Sequence, residues 1–273
     1  MGTKKGLSPI HVLIGWLSKN SKKVNILLVT LLALFAFVAL KFIVKDTHSF
    51  FLASEAIHIA GTLILFYKLF THKTCSGVSL KTQELMASFL VVRLCSSVVL
   101  TEANIHTALD LTSLLSVLLV IWMIRFKLKS SYIKELDTIK LRYVIVPCAV
   151  LAIVVHPSTV HYPIFGFLWS YSVYLEAISV LPQLRYMQNA KMIEPMTGKY
   201  VFALGLSKLL GLANWIIQIY ESGGGYFFLN GGGNMWYLIG FIAEMVQSFI
   251  LADFCYYYIK SFMQGQLLKK MPV

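Results

Sequence analysis

Residues 162–186 read YPIFGFLWSYSVYLEAISVLPQLRY and form the stretch that decides the fold. The run is apolar and long enough to cross a bilayer as a helix, which takes about 20 residues. One carboxylate, Glu176, lies near its middle, and on a helix it shares a face with Trp169 and Ser172. A charge at that depth costs on the order of 2.5 kcal/mol or more, so it normally faces a cavity or a partner. We therefore look for function on this face; the alternative is that Glu176 only holds two helices together.

The composition is that of a polytopic membrane protein. Of the 273 residues, 58% are hydrophobic and 13% are charged, and the mean hydropathy is +0.72. Such values exclude an ordinary soluble domain. The four cysteines show no spacing typical of a zinc site or of a disulfide framework. Because no nucleophile elbow, paired-carboxylate site, HExxH or phosphate loop is present, we expect no enzyme activity, no metal and no cofactor.

Apolar runs predict an all-α protein with eight membrane-spanning helices. Residues 1–23 are basic, and residues 24–45 read as an extra span because no small-residue cleavage site follows them. A core of seven helices follows over residues 50–260, and residues 261–273 form a tail. The core helices are expected at residues 50–70, 82–100, 105–124, 142–155, 164–184, 200–220 and 235–259, the fourth of these being short and containing Pro147.

The positive charge is distributed unevenly across these spans. On one side of the eight-span arrangement fall 20 of the 24 basic residues, whereas the opposite connections are nearly uncharged. This pattern predicts that both termini lie in the cytosol. Lys269 and Lys270, near the carboxyl end, resemble a dilysine signal read by a coat complex; the alternative is a positive flank of the last span.

Two cations lie inside predicted spans. A shift of 115 residues aligns residues 63–93 with residues 178–208, which indicates two three-helix repeats and places Arg93 opposite Lys208. Paired inward-facing cations suit an anionic ligand such as a carboxylate in a water-filled cavity. The alternative is that they pair with the buried acids of the spans, Glu55, Glu176 and Asp253.

Other polar and aromatic side chains accompany these charges. His58 lies three residues after Glu55, and a histidine beside an acid can switch with pH or can simply pack. Trp215 lies seven residues after Lys208 and shares its helix face. Together with Trp169 it is a candidate for an aromatic wall, although a tryptophan within the membrane more often packs or anchors at the interface.

Six motifs in the same order carry a family resemblance. They are CSGVSLKTQ (75–83), DTIKLRYVIVP (137–147), LWSYSVYLEAISVLPQL (168–184), YVFALG (200–205), NWI (214–216) and VQSFILADFCYYYIK (246–260). Over roughly the last 220 residues the chain resembles the ER lumen protein-retaining receptors, the KDEL/HDEL receptors. The resemblance implies a seven-helix core of two three-helix repeats, similar to PQ-loop and sugar transporters, preceded here by one extra span.

The resemblance implies a receptor that binds the C-terminal retrieval tetrapeptide of lumenal proteins in the acidic Golgi and releases it in the ER. Its implied partners are that peptide, a COPI-type coat on the cytosolic tail and membrane lipid, with no nucleic acid. His58 matches the pH-sensing histidine, and Glu176 matches the acid coupled to it. The matching ligand-binding positions are Arg93, Trp169, Lys208 (an arginine in the family), Asn214, Trp215 and Asp253.

The chain departs from the family around this pocket. Each charge-assisted contact that is lost costs about 1.5 to 3 kcal/mol, which predicts an altered pocket and weaker binding of the usual tetrapeptide. The alternatives are a small-molecule, sugar-like transporter and a trafficking scaffold that has lost tetrapeptide binding. The departures are Leu94, Cys95 and Ser96 for Tyr-Leu-Asp, Gly166 for a glutamate, Ser207 for a tyrosine, and Gln218 and Phe51 for arginines.

Overall fold

The computed structural model describes residues 48–100, 105–157, 163–190, 192–221 and 234–264. Within these ranges every regular element is helical. The predicted basic N-terminus, the predicted extra span at residues 24–45, Lys269 and Lys270 lie outside the described residues. The helices are α1 (His48–His72), α2 (Leu80–Leu100), α3 (Ile105–Trp122), α4 (Arg142–Val154), α5 (Pro163–Ile178), α6 (Leu181–Asn189), α7 (Pro195–Glu221) and α8 (Asn234–Met263).

Six segments of the described chain are long and apolar enough to cross a membrane. They are α1, α2, α3 with the π-helical turn Met123–Lys127, α5 together with α6, α7, and α8. Large apolar side chains on their outer faces are exposed, as expected of a surface that meets lipid. The prediction of an all-α polytopic membrane protein is therefore confirmed in the described ranges.

The shortest of the seven predicted core spans is α4, as its sequence predicts. It has 13 residues and contains Pro147, which removes one backbone hydrogen bond from the helix interior. Its outer residues Ile153 and Val154 are exposed, whereas Cys148 and Ala152 on its other face are buried. Since α4 packs on α5, it forms a short apolar layer over the helix that carries Glu176.

A break after Ile178 divides the opening stretch into α5 and α6, just before the Pro182-Gln183 pair of the predicted span at residues 164–184. Pro182 lies in the first turn of α6, where its missing N–H is tolerated. The next side chain, Gln183, is fully buried and accepts a hydrogen bond from Ser79 N while donating one to Gly77 O, both at 2.8 Å. The Pro-Gln pair therefore fixes α6 to the loop that precedes α2.

The long helices pack closely around the middle of the chain. Contacts run between α1 and α7, α2 and α5, α7 and α8, and α3 with both α1 and α2. At Gly205 on α7 the neighbouring helix is so near that an added Cβ would overlap Cys255 Sγ. Close approach of this kind is what small residues permit between membrane helices. It brings residues from six helices within reach of one another at mid-span.

A polar network joins the loops on the side that we predict to be cytosolic. The Asp137 carboxylate accepts hydrogen bonds from Tyr132 OH at 2.7 Å, Ser79 Oγ at 2.9 Å and Lys81 N at 3.2 Å. Burial and this carboxylate both raise the pKa of Tyr132 above its ordinary value. Lys68 Nζ donates to Thr197 Oγ1 at 2.9 Å and also pairs with Glu194. The network connects both halves of the chain at one end of the helices.

Candidate functional site

A buried cluster of charges lies at mid-span, with Arg93 of α2 at its centre. Arg93 Nη1 donates to Glu176 Oε2 of α5 at 2.8 Å, and Nη2 donates to Asp110 Oδ1 of α3 at 2.5 Å. The same Nη2 lies 3.6 Å from Glu55 Oε1 of α1. Charge-assisted contacts of this kind are stronger than neutral hydrogen bonds, and burial strengthens them further. One guanidinium thus connects three acids on three other helices.

The second cation of the cluster is Lys208 on α7. Its Nζ pairs with Glu176 Oε1, so each carboxylate oxygen of Glu176 contacts a different cation. The side chains of Lys208 and Glu176 are only 13% and 9% exposed. Gln247 Nε2 of α8 donates to the backbone oxygen of Glu176 at 3.0 Å. Glu176 is therefore the bridge between the two cations and between α5, α2 and α7.

The structure places in contact the charged residues that the sequence predicts inside membrane spans. Arg93, Lys208 and Glu176 converge, and the cations pair with acids, as one of the two predicted alternatives requires. The partner set differs from that alternative in one place, since Asp253 is not among the ion-pair partners of either cation within the described residues. Asp110 occupies that role instead.

His58 lies beside the cluster on α1 and is only 4% exposed. It shares the lining of a cavity with Lys208 and Gln247. The volume of this cavity is about 10 Å³, room for about one water molecule, whereas small-molecule pockets usually have about 300–1,000 Å³. A tetrapeptide needs more room than this, so the structure describes a closed form of the site. The apolar part of the lining is Met86, Phe89, Val180, Leu204 and Leu251, with Ser179 completing it.

The remaining predicted ligand-binding residues lie on α5, α7 and α8. Asn214 is 5% exposed, and its Oδ1 is buried without a hydrogen-bond partner in the described part of the chain. Trp215 is half-buried, with its ring against Gly240, where an added Cβ would be 3.6 Å away. Trp169 and Asp253 are also half-buried, on α5 and α8. The predicted binding roles of these four residues remain predictions.

The residues at which the chain departs from the family pattern lie in different environments, some buried and some exposed. Ser207 is buried, and its backbone oxygen accepts a hydrogen bond from Ser54 Oγ at 2.9 Å. Phe51 packs edge-on against His106 with ring centroids 4.5 Å apart. Gln218 and Cys95 are exposed. Of the remaining departures, Gly166 and Ser96 are buried and Leu94 is half-buried. A hydroxyl contact with the backbone is therefore found at Ser207 in place of the family's tyrosine, and ring packing is found at Phe51 in place of an arginine.

Two acids of the site were missed by the sequence analysis. Asp110 is 6% exposed and contacts Arg93. Glu244 of α8 is half-buried, and its Oε2 lies 3.7 Å from the place that a Cβ on Gly211 would occupy. Both acids lie inside apolar spans, so the argument that singled out Glu176 applied equally to them.

The model of the ER lumen protein retaining receptor family matches residues 74–218. The chain belongs to this family. The matched range contains Arg93, Asp110, Glu176 and Lys208, which are four of the buried charges. Glu55 and Glu244 lie outside it.

Relatives from plants and animals extend this match over nearly their whole length. The ER lumen protein-retaining receptor of Petunia hybrida and receptor B of Arabidopsis thaliana are each 32% identical over 222 residues, covering 81% of this chain and 97% of the relative. ER lumen protein-retaining receptor erd-2.2 of Caenorhabditis elegans is 30% identical over 224 residues, covering 82% of this chain and 99% of the relative. Each match therefore takes in about four fifths of this chain and nearly the whole of the relative.

Proposed function

We propose that this chain is a membrane receptor for C-terminal ER-retrieval signals of the HDEL/KDEL type and returns lumenal proteins from the Golgi to the ER. The observation that carries the proposal is the convergence of Arg93, Lys208 and Glu176 at mid-span in a member of this family. A guanidinium and an ammonium aimed at one carboxylate are the donors that the terminal carboxylate of a peptide requires.

In the closed site, Glu176 occupies those donors. A peptide carboxylate that binds Arg93 and Lys208 must take the place of the Glu176 carboxylate, which then becomes an unpaired buried charge unless it gains a proton. Acid pH supplies that proton. Once the site opens to water, protonation of His58 adds a positive charge beside the cavity. Peptide binding is therefore stronger at acid pH and weaker at neutral pH, which is the direction that retrieval from an acidic compartment requires.

The surroundings of the site support an altered pocket. The cavity beside His58 is too small for a tetrapeptide, so binding requires that the helices around Glu176 separate. Trp169, Asn214, Trp215 and Asp253 are assigned to the walls of that opened pocket. Phe51, which packs on the His106 ring, offers less to an anionic ligand than the arginine that it replaces.

Topology and sorting are part of the proposal. The charge pattern supports an eight-span protein of the ER and Golgi membranes, with the extra span at residues 24–45 and both termini in the cytosol. The core comprises two three-helix repeats of the PQ-loop and sugar-transporter type. Lys269 and Lys270 of the tail, residues 261–273, bind a COPI-type coat. Receptor activity of this kind needs no enzyme chemistry.

A second candidate function is the transport of a small, sugar-like solute. The observation that favours it is the polar part of the cavity lining, where His58, Ser179 and Gln247 offer hydrogen-bonding groups to a neutral solute once the helices separate. Solute flux in proteoliposomes tests this candidate. A scaffold that keeps the fold and binds neither ligand would show no peptide binding and no flux.

Peptide binding to the purified full-length chain tests the proposal. Peptides ending in His-Asp-Glu-Leu and scrambled versions are titrated at about pH 5.5 and about pH 7.2, values on either side of the ordinary histidine pKa. We expect specific binding that is stronger at the lower pH and is lost in Arg93→Ala. Arg125→Ala is the matched control. Arg125 Nη2 pairs with Glu84 Oε1 at 2.5 Å, and this exposed ion pair lies outside the site. Equal binding at both pH values, or binding that survives Arg93→Ala, contradicts the proposal.

A further inference from the structure

The outer face of α3 carries an apolar stripe that ends in two aromatic rings. The span of residues 105–127 is 23 residues long, enough to cross a hydrocarbon core of about 30 Å. Its last turns therefore reach the headgroup level, where tryptophan is enriched. The exposed side chains of the stripe are Leu111, Leu115, Leu118, Leu119, Trp122 and Phe126.

A cation lies over the ring at the end of this stripe. Lys127 Nζ is 5.4 Å from the centroid of the Trp122 ring, within the range of a cation–π contact. In an uninterrupted α-helix, side chains five positions apart point about 140° away from each other. The π-helical turn Met123–Lys127, closed by a hydrogen bond from Leu128 N to Met123 O at 2.8 Å, widens the helix and brings the two side chains together.

The chain that follows Lys127 is anchored to the protein. Ser131 Oγ donates to Leu128 O at 2.9 Å and accepts a hydrogen bond from Cys75 N at 3.1 Å. Leu128 and Cys75 are both buried. Lys127 therefore lies between a packed helix and a fixed turn, and the Trp122–Lys127 pair is a built feature of the surface.

The surroundings of this pair are strongly basic. Residues 122–142, all of which the structure describes, contain only two acids, of which Asp137 is buried and Glu135 is exposed. Within the described ranges, the Lys127 ammonium forms no ion pair. Clusters of four to eight cations beside a membrane span attract anionic lipids. The exposed cations of the segment are Arg125, Lys127, Lys129, Lys134, Lys140 and Arg142.

We propose that Trp122 and Lys127 form a binding site for an anionic phospholipid. The acyl chains lie along the leucine stripe of α3, and the charged headgroup contacts the Lys127 ammonium. An acidic protein would complement the charges alone, whereas a lipid also covers the apolar stripe that runs into them. The site goes beyond the proposed receptor function and does not depend on which ligand the buried charge cluster binds.

Fluorescence quenching measures whether an anionic lipid is enriched beside Trp122. The full-length chain is placed in phosphatidylcholine nanodiscs that contain a small share of brominated phosphatidylserine or, in parallel, of brominated phosphatidylcholine. Subtracting the emission of a Trp122→Phe variant isolates Trp122 from the other four of the five tryptophans. We expect phosphatidylserine to quench Trp122 more strongly than phosphatidylcholine. Equal quenching by the two lipids overturns the proposal.

Replacement of Lys127 tests the residue itself. A cation beside an anionic lipid surface contributes about 1 kcal/mol, so Lys127→Gln should lower the preference for phosphatidylserine about fivefold. Lys127→Arg keeps the charge over the ring and should keep the preference. Lys260→Gln is the matched control, because Lys260 is exposed in the last turn of α8, which packs on α5 and α7. A preference that Lys127→Gln leaves unchanged contradicts the assignment.

Moving the charge separates a built site from a diffuse positive flank. In Lys127→Gln with Ser130→Lys, the net charge of the segment is that of the wild type, but the ammonium no longer follows Trp122 through the π turn. We expect this variant to recover little of the preference, and full recovery overturns the site. All of these variants are expected to fold, because Trp122, Lys127 and Ser130 are exposed.

A soluble glutamate-rich peptide tests the other class of partner. The peptide should leave the quenching of Trp122 by phosphatidylserine unchanged, since it has no chains to lay on the stripe. If it relieves that quenching in the wild type, the surface docks an acidic protein segment and the lipid assignment fails. Retrieval-peptide binding is measured separately in detergent without added lipid, so failure of either proposal leaves the other standing.

Discussion

Removal of the Lys208 ammonium is the perturbation that tests the charge cluster most directly. Lys208→Met keeps the length of the side chain and deletes the charge that pairs with Glu176 Oε1. Loss of one partner from a buried ion pair costs about 3–5 kcal/mol. We expect the lower end, about 3 kcal/mol, because Glu176 keeps its 2.8 Å contact with Arg93. For a chain of this size that lowers the unfolding temperature by roughly 6–12 °C.

Because acids outnumber cations in the cluster, replacing Lys208 and replacing Glu176 should lower stability by different amounts. Glu176→Gln removes one of four carboxylates and leaves Lys208 near Glu244, so it should cost less than Lys208→Met. In Lys208→Met, the Glu176 carboxylate has lost one of its two cations. Adding Glu176→Gln removes that carboxylate. The double variant should therefore be more stable than Lys208→Met alone, with a coupling free energy of about 1–3 kcal/mol.

Thermal unfolding in detergent micelles, across a series of pH values, measures this cycle. The cost of Lys208→Met should be greatest at neutral pH and should shrink at acid pH, where the surplus carboxylates take up protons. Lys208→Arg is the conservative control and should stay close to the wild type. A Lys208→Met variant within about 1 kcal/mol of the wild type, or a double variant less stable than both single ones, would refute the reasoning.

Three further predictions concern the packing and the loops. Gly205→Ala should lower stability by about 1–3 kcal/mol in thermal unfolding because its methyl group overlaps Cys255 Sγ, and adding Cys255→Ala should restore it. Asp137→Asn should lower stability by about 1.5–3 kcal/mol, because it weakens the hydrogen bonds that the Asp137 carboxylate accepts from Ser79, Lys81 and Tyr132. Burial raises the pKa of the Cys75 thiol, so maleimide should label Cys75 at neutral pH only after denaturation, as mass spectrometry of the labelled peptide would show.

The helices of the core were predictable because the membrane imposes one length and one composition on them. Each apolar run of about 20 residues must satisfy its own backbone hydrogen bonds, which only a helix does in lipid. The contacts at the break between α5 and α6 were harder to predict, since they depend on the fit of Gln183 against Ser79 and Gly77, which are about a hundred residues away. Contacts of that range leave no mark in local periodicity.

The part of the candidate site that could be predicted is its charged residues, because a charge inside a membrane span is costly and therefore rare. Arg93, Lys208 and Glu176 stood out because each lies in an otherwise apolar span, and the structure places them in contact. Their pairing depends on helix rotation and on the angles between helices, and the sequence alone does not specify either. Asp253 was expected among the partners for that reason, although Asp110 takes the position.

Counting the charges of the cluster together would have found Asp110 and Glu244. Two cations in the membrane need two acids, and the chain supplies four around them, so the surplus acids are stable there only if they take up protons or stay in contact with water. Acid pH supplies those protons and stabilises the closed site. Binding of a peptide carboxylate is also favoured at acid pH, because it must displace Glu176 from Arg93. Glu244→Gln should therefore weaken the pH dependence of stability and leave that of peptide binding unchanged.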